Sequence, residues 1–296
     1  MKNKKVVFAE LSLLVITVIW GLGFPITRIA IDFGFGPSTI MLGRFMIAAL
    51  LLTIVYFKRL KFIDKKIILF GIITGVFLFL GFYFQTVGNV YTTPSKNGFI
   101  TQLNIVFVPF LFMLFFRKLV DVYNVIAVLI ALVGMFVLSY NPTGFSGVNI
   151  GDILTFICAI MVAFHIVSAS YFQKKYNFDP ALFVLVNIVT SFVLSGLLFV
   201  FTESLPVVEI KFYWPILFLG VFNTALGFLV QSFALKISLP TRVSLIVALE
   251  SIFAAVSSYI ILNEEMTSAI IFGGALIILG VLINEIKPFS KKKEVL

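Results

Sequence analysis

Apolar stretches of about 20 residues follow one another along the whole chain, separated by short turns of Pro, Gly and charged residues. A helix of that length crosses about 30 Å of hydrocarbon. The pattern predicts ten spans, at 8–31, 38–57, 67–87, 95–116, 122–140, 150–172, 181–201, 214–235, 241–262 and 268–286. The sparse polar positions recur in register. Phe82-Tyr83-Phe84-Gln85 is followed nine residues later by Pro94 and ten after that by Asn104. Phe228-Leu229-Val230-Gln231 stands in the same relation to Pro240 and Glu250, while Gly81 matches Gly227 and Gly134 matches Gly280. The chain therefore reads as one unit written twice, over 8–140 and 150–286, with Asn141-Pro142-Thr143-Gly144 as the turn between the halves.

Charge adds orientation. The chain carries 22 Lys and Arg against 13 Asp and Glu, for a pI near 9.6. The basic residues fall in inter-span turns rather than in a nucleic-acid patch. With the N-terminus in the cytoplasm, one side collects Lys58, Arg59, Lys65, Lys66, Arg117, Lys118, Lys174, Lys175 and Lys236. The other has Lys96, Lys211 and Arg28 as its basic residues and collects Asp32, Glu203, Glu209, Glu264 and Glu265. This is the positive-inside bias, with both termini cytoplasmic. Five spans per half is an odd number, so the second half must insert upside down. Arg117-Lys118 and its counterpart Asn263-Glu264 then fall on opposite sides and differ in charge, as inversion requires. The expected fold is an all-α, polytopic integral membrane protein of ten transmembrane helices in two inverted-topology five-helix repeats. It would sit in the cytoplasmic (inner) membrane.

Composition agrees. Hydrophobic residues make up 61%, charged residues 12%, and the mean hydropathy is +1.15. An ordinary soluble domain is roughly one quarter charged. The first apolar stretch is too long for a cleaved leader and is one of a series. The single Cys158 forms no disulfide within the chain.

A few residues break the apolar pattern at positions where that is costly. Glu250 lies near the middle of the ninth span, where a charge costs roughly 2.5–3.5 kcal/mol on insertion scales. It reads as a contact for a cation or ammonium group, as a proton-coupling site, or as a protonated structural carboxyl. Arg44, in the second span, either holds a structural contact or takes an anionic group. Trp20-Gly21-Leu22-Gly23-Phe24-Pro25 interrupts the first span as a hinge, a packing notch or a cavity wall, because Pro25 removes a backbone donor. Asn97, Thr101 and Asn104 share one face of the fourth span. Gln85 and Gln231 match in the third and eighth spans, and Asn187, Asn223 and His165 are further intramembrane polar groups. Each amide is either cross-helix glue or part of a solute site. His165 is either a packing residue or a proton relay. Tyr83 and Trp20 are candidates to face an apolar or cationic group of the solute. Small residues at Ala127, Ala131 and Gly134, repeated at Gly273 and Gly280, suit close helix packing and assembly. No nucleophile, zinc or nucleotide motif appears, so neither an enzyme nor a cofactor is expected, and any driving force is a gradient.

These residues resemble the EamA-type permeases of the drug/metabolite transporter superfamily. The likeness rests on Trp20-Gly21 with Phe24, Arg44-Phe45, and Gln85 leading to the run from Thr93 to Ile100 and then Val108-Pro109. In the second half it rests on Gly151-Asp152 and on Glu250 followed by Asn263-Glu264-Glu265. Ser251 stands where the family pattern usually has Pro, and Val162 where it usually has Trp. The resemblance implies a secondary transporter for small organic metabolites, commonly amino acids or related compounds, working by alternating access. Trp20, Tyr83, Gln85, Thr101, Asn104, Gln231 and Glu250 would line the solute site, with Glu250, Arg44 and His165 as charge or coupling groups. The expected partners are a small solute, the lipid bilayer, a coupling proton or ion, and a second copy of the chain. The alternatives are a carrier of phosphorylated or nucleotide-linked solutes on the same fold, and a nontransporting membrane scaffold.

Overall fold

The computed structural model describes residues 4–116, 122–138, 149–204 and 206–286, and no strand occurs among them. The helices are α1 (Lys4–Asp32), α2 (Pro37–Val55), α3 (Lys65–Tyr91), α4 (Pro94–Thr101), α5 (Asn104–Phe116) and α6 (Val122–Leu138) in the first half. The second half has α7 (Ile150–Lys175), α8 (Pro180–Thr202), α9 (Trp214–Phe218), α10 (Gly227–Ile237), α11 (Pro240–Ala248), α12 (Glu250–Leu262) and α13 (Ser268–Ile286). A π-helical stretch, Leu219–Leu226, joins α9 to α10. Seven helical runs among the described residues are long and apolar enough to cross a membrane. The expected spans at 122–140, 241–262 and 268–286 fall on α6, on α11 with α12, and on α13. The turn from Asn141 to Gly144 and the Arg117-Lys118 pair lie outside the described residues.

Local chemistry explains where the helices begin. Proline opens α2, α4, α8 and α11, where its missing N–H costs nothing. Asp64 caps α3 through Ile67 N, Thr93 caps α4 through Lys96 N, and Asn149 with Asp152 forms a reciprocal capping box on α7. Asn263 ends α12 in the left-handed conformation at φ 52°.

Pro25 does not interrupt α1, which runs unbroken from Lys4 to Asp32. Pro25 offers no N–H to the Gly21 carbonyl, and Ser257 Oγ of α12 donates to that carbonyl instead, at 3.3 Å. Gly21 is a packing notch: a Cβ there would stand 2.4 Å from Phe253 Cβ and 2.9 Å from Ala254 N.

The two halves are interwoven. α1 packs on α12 and α10, α7 packs on α5 and α3, α2 meets α8, and α6 meets α13. At the α6–α13 crossing, a Cβ on Gly134 would lie 2.8 Å from Gly273 O. That glycine face is therefore used within the chain. The side chains of Ala127 and Ala131 lie outside those described. Large apolar side chains such as Phe8, Ile54, Val200 and Phe201 cover the outside, while Arg44, Asn104, His165, Gln173, Asn187 and Glu250 are buried. This arrangement suits lipid outside and a polar interior.

The α2–α8 contact is tied at both ends. Gly36 gives α2 no side-chain cap, and Glu203, just past the end of α8, accepts from Ser38 N, Thr39 N and Thr39 Oγ1 at 2.9, 2.9 and 2.7 Å. At the opposite end Arg59 pairs with Asp179, which also caps α8. Half-burial alone would raise the Glu203 carboxyl, but the hydrogen bonds from Ser38 and Thr39 outweigh it and hold it below the ordinary carboxylate range. A carboxyl held down on folding adds stability above its unfolded pKa and loses it as pH falls through the folded one. Glu203→Ala is expected to cost about 1 kcal/mol at neutral pH. Melting in detergent should show this gap closing as pH drops below the carboxylate range. A gap that persists in acid would contradict the capping role.

Candidate functional site

Two helix breaks face each other in the middle of the molecule. α4 ends at Thr101 and α5 starts at Asn104, while α11 ends at Ala248 and α12 starts at Glu250. The backbone tightens across both breaks: Ile105 N bonds Gln102 O at 3.1 Å, and Ile252 N bonds Leu249 O at 3.1 Å. These i→i+3 bonds keep backbone groups satisfied where the α-helical ladder is interrupted. Gln102 Nε2 donates to Glu250 Oε2 at 3.0 Å and joins the breaks directly. Asn104 Nδ2 donates to Thr101 O at 2.8 Å and reaches Gln102 Oε1 at 3.4 Å.

The breaks border a cavity of about 70 Å³, measured as room for water centres. By the same measure one water needs roughly 10–15 Å³, so this is space for a small solute. Of the expected residues, Trp20, Arg44, Gln85, Thr101, Asn104, His165, Gln231 and Glu250 all line it. Tyr83 does not. Its ring packs against Phe79 and Phe84, at 6.2 and 5.3 Å between centroids, and against the apolar core. Neighbouring positions on a helix point in different directions, so Gln85 faces inward while Tyr83 faces away.

Arg44 and Glu250 carry the site's charges. Arg44 is 3% exposed and Glu250 8%. Arg44 Nε donates to Thr224 Oγ1 at 3.0 Å, and the guanidinium carbon sits 4.1 Å from the Phe82 ring centroid. That is a cation–π contact with the ring face. Glu250 is held by the neutral Gln102 amide. Arg44 and Glu250 both face the cavity without forming an ion pair with each other among the described residues.

The remaining polar groups are mutually braced. Gln85 Nε2 donates to Thr101 Oγ1 at 3.4 Å, and Asn97 Nδ2 donates to Gln85 O at 2.9 Å. Trp20 Nε1 donates to Asn223 O at 2.7 Å, and Asn223 Nδ2 donates back to Ile19 O at 3.3 Å. Gly227 makes room for this indole, since a Cβ there would lie 2.4 Å from Trp20 Nε1. Its partner in the repeat, Gly81, makes room for Val162 at 3.2 Å. The paired glycines thus serve the same contact in both halves. Asn187 lies outside the main cavity and lines a smaller pocket that shares His165 and Gln231 with it.

Gln102, Asn89 and Phe228 also line the cavity, and sequence reasoning missed them as site residues. An unbroken fourth helix puts Gln102 off the face of Asn97, Thr101 and Asn104. The break at Gln102-Leu103 turns it inward. Two amides within three residues, Gln102 and Asn104, in an otherwise apolar run were the available signal.

A helical bundle with a charged cavity enclosed among apolar rods has the architecture of a membrane transporter. The model of the EamA-like transporter family matches the chain twice, over residues 7–140 and 149–285, and the chain belongs to this family. An uncharacterized transporter of Archaeoglobus fulgidus is 32% identical over 283 residues, covering 96% of this chain and 87% of that protein. A second uncharacterized transporter of the same organism is 28% identical over 268 residues, covering 89% and 94%. A solved crystal structure aligns with 98% of this chain and all of its own at a TM-score of 0.69. At 15% identity this is a likeness of fold alone.

The glycine notch is open to test. Gly227→Ala is expected to destabilise by about 1–3 kcal/mol through overpacking against the indole. In a Trp20→Ala background the same change should become neutral or stabilising, because Ala is the better helix former by about 1 kcal/mol. Equal costs in both backgrounds would contradict the contact.

Proposed function

We propose that this transporter carries a small zwitterionic metabolite, an amino acid or a close relative, across the cytoplasmic membrane by alternating access. The observation that carries this reading is the pair of buried ionisable groups of opposite sign, Arg44 and Glu250, facing one small cavity with no direct ion pair between them among the described residues. A charge in that position needs a partner. A solute carboxylate on Arg44 and a solute ammonium on Glu250 supply both at once. Glu250 can also exchange the ammonium for a proton, which would couple the solute to the proton gradient.

Several features support the architecture behind this reading, ten spans in two inverted repeats. The family match falls once in each half. The helix contacts keep their pattern when the halves are exchanged, with α1 on α12 answering α7 on α5. Broken helices meeting at mid-membrane are the usual place for a solute site in such repeats. The cavity volume and its single Arg weigh against a nucleotide-linked solute, whose phosphates call for several basic groups.

Counterflow in proteoliposomes tests the proposal with three sets of solutes: amino acids, the amines lacking their carboxylate, and the acids lacking their amine. At least one zwitterion should drive uptake tenfold or more above either half-molecule. Glu250→Gln and Arg44→Gln should each reduce that uptake at least tenfold, about 1.4 kcal/mol. Uptake of a nucleotide-linked solute, or zwitterion uptake indifferent to both substitutions, would overturn the reading.

A further inference from the structure

Behind the main cavity lies a second pocket, with room for about one water at roughly 10 Å³. Phe228 lines both spaces. The pocket's other walls include Gln173, Asn187 and Ser232, which are 0%, 1% and 5% exposed. Ser232 Oγ donates to Pro180 O at 2.9 Å and reaches Gln173 Oε1 at 3.2 Å, and Asn187 Nδ2 donates to Phe183 O at 2.6 Å. Gln173 Nε2 is buried with no hydrogen-bond partner, and Asn187 Oδ1 is buried beside the His165 ring without a bond of good geometry. Leaving such a group unsatisfied costs about 1–3 kcal/mol. One is a donor and the other an acceptor, which is what a single water, or one polar group of a passing solute, requires.

The two ends of the cavity differ. Towards Arg28, where Arg28 Nη1 donates to Asn89 O and Asn89 Nδ2 to Phe24 O at 3.2 and 3.0 Å, lies a vestibule of about 530 Å³. Towards Lys174 the helices are stitched shut. Ser170 Oγ donates to Leu235 O, Lys174 Nζ to Ser238 O and Lys236 Nζ to Phe178 O, at 3.2, 2.6 and 2.8 Å. The small polar pocket lies on this closed side.

We propose that this pocket is a second polar station on the solute path and that Phe228, standing with His165 and Gln231 on the wall the two spaces share, is the apolar side chain that closes the passage between them. The Phe228 ring is wedged between Trp20, Phe82 and His165, with centroids at 5.4, 5.6 and 5.8 Å. It stands directly after the π-helical stretch Leu219–Leu226 and Gly227. A π-helical turn holds about one residue more than an α-helical turn, and shedding one such extra residue shifts the register of the helix downstream by one position, a rotation of about 100°. Such a rotation of α10 would carry Phe228 off its neighbours, bring Ser232 and Gln231 past the cavity, and break the bonds that α7 makes to the end of α10. The inference rests on the transporter reading but not on the identity of the solute.

Thiol accessibility tests it without any solute. In a Cys158→Ala background, Ser232→Cys in proteoliposomes is treated with methanethiosulfonate ethylammonium, and the modification rate is read with Phe228 intact and replaced. Phe228→Ala is expected to raise the rate at least tenfold. Phe228→Leu serves if the alanine variant does not fold, with melting temperature as the control. An unchanged rate in a folded variant overturns the proposal. Failure of the zwitterion panel would leave this rate unaffected, so the two ideas fail separately.

Discussion

Hydrocarbon leaves a backbone no water to bond, so a broken helix survives in a membrane only where something else meets its polar groups. The backbone bonds from Ile105 to Gln102 and from Ile252 to Leu249 meet that constraint, and the side-chain bond from Gln102 to Glu250 ties the break between α4 and α5 to the break between α11 and α12. That side-chain bond also gives a buried carboxylate a donor. The cavity, its two charges and the approach of α1 to both breaks follow from holding these broken rods end to end. With straight helices through Leu103 and Leu249, Asn104 and Glu250 would have no polar space to face.

The surrounding helices are arranged to protect that junction. Gly21 lets α1 press against α12, and Ser257 satisfies the carbonyl that Pro25 leaves open. Gly227 seats the Trp20 indole over α10, and the indole in turn donates to the π-helical stretch at Asn223. The polar ties at helix ends, Glu203 on α2 and Asp152 with Thr92 near the start of α7, lie away from the cavity. Rigid contacts therefore gather at the helix ends and at the glycine notches. The π-helical stretch beside Phe228 is the irregular element within this frame.

Much of this was legible in the residues. Glu250, Arg44 and His165 stood out because ionisable groups are rare in apolar runs, and the structure brings all three to one cavity. The paired glutamines Gln85 and Gln231 were visible through the repeat register and meet there as well. What escaped depends on geometry that periodicity does not carry. Gln102 faces inward only because the helix breaks beside it. Tyr83 is carried away from the cavity by the same rotation that points Gln85 into it. Pro25 leaves α1 continuous because a serine 232 positions further on takes up the lost bond. Phe228 looks like any of the 36 phenylalanines until its neighbours are placed.

The most direct measurement is an experimental structure in lipid nanodiscs with a saturating amino acid from the counterflow panel, at a resolution that shows ordered water. Density for the solute bridging the Arg44 guanidinium and the Glu250 carboxylate, with Gln102 still bonded to Glu250, is the predicted result. A dry, collapsed centre with Glu250 turned towards lipid would contradict it.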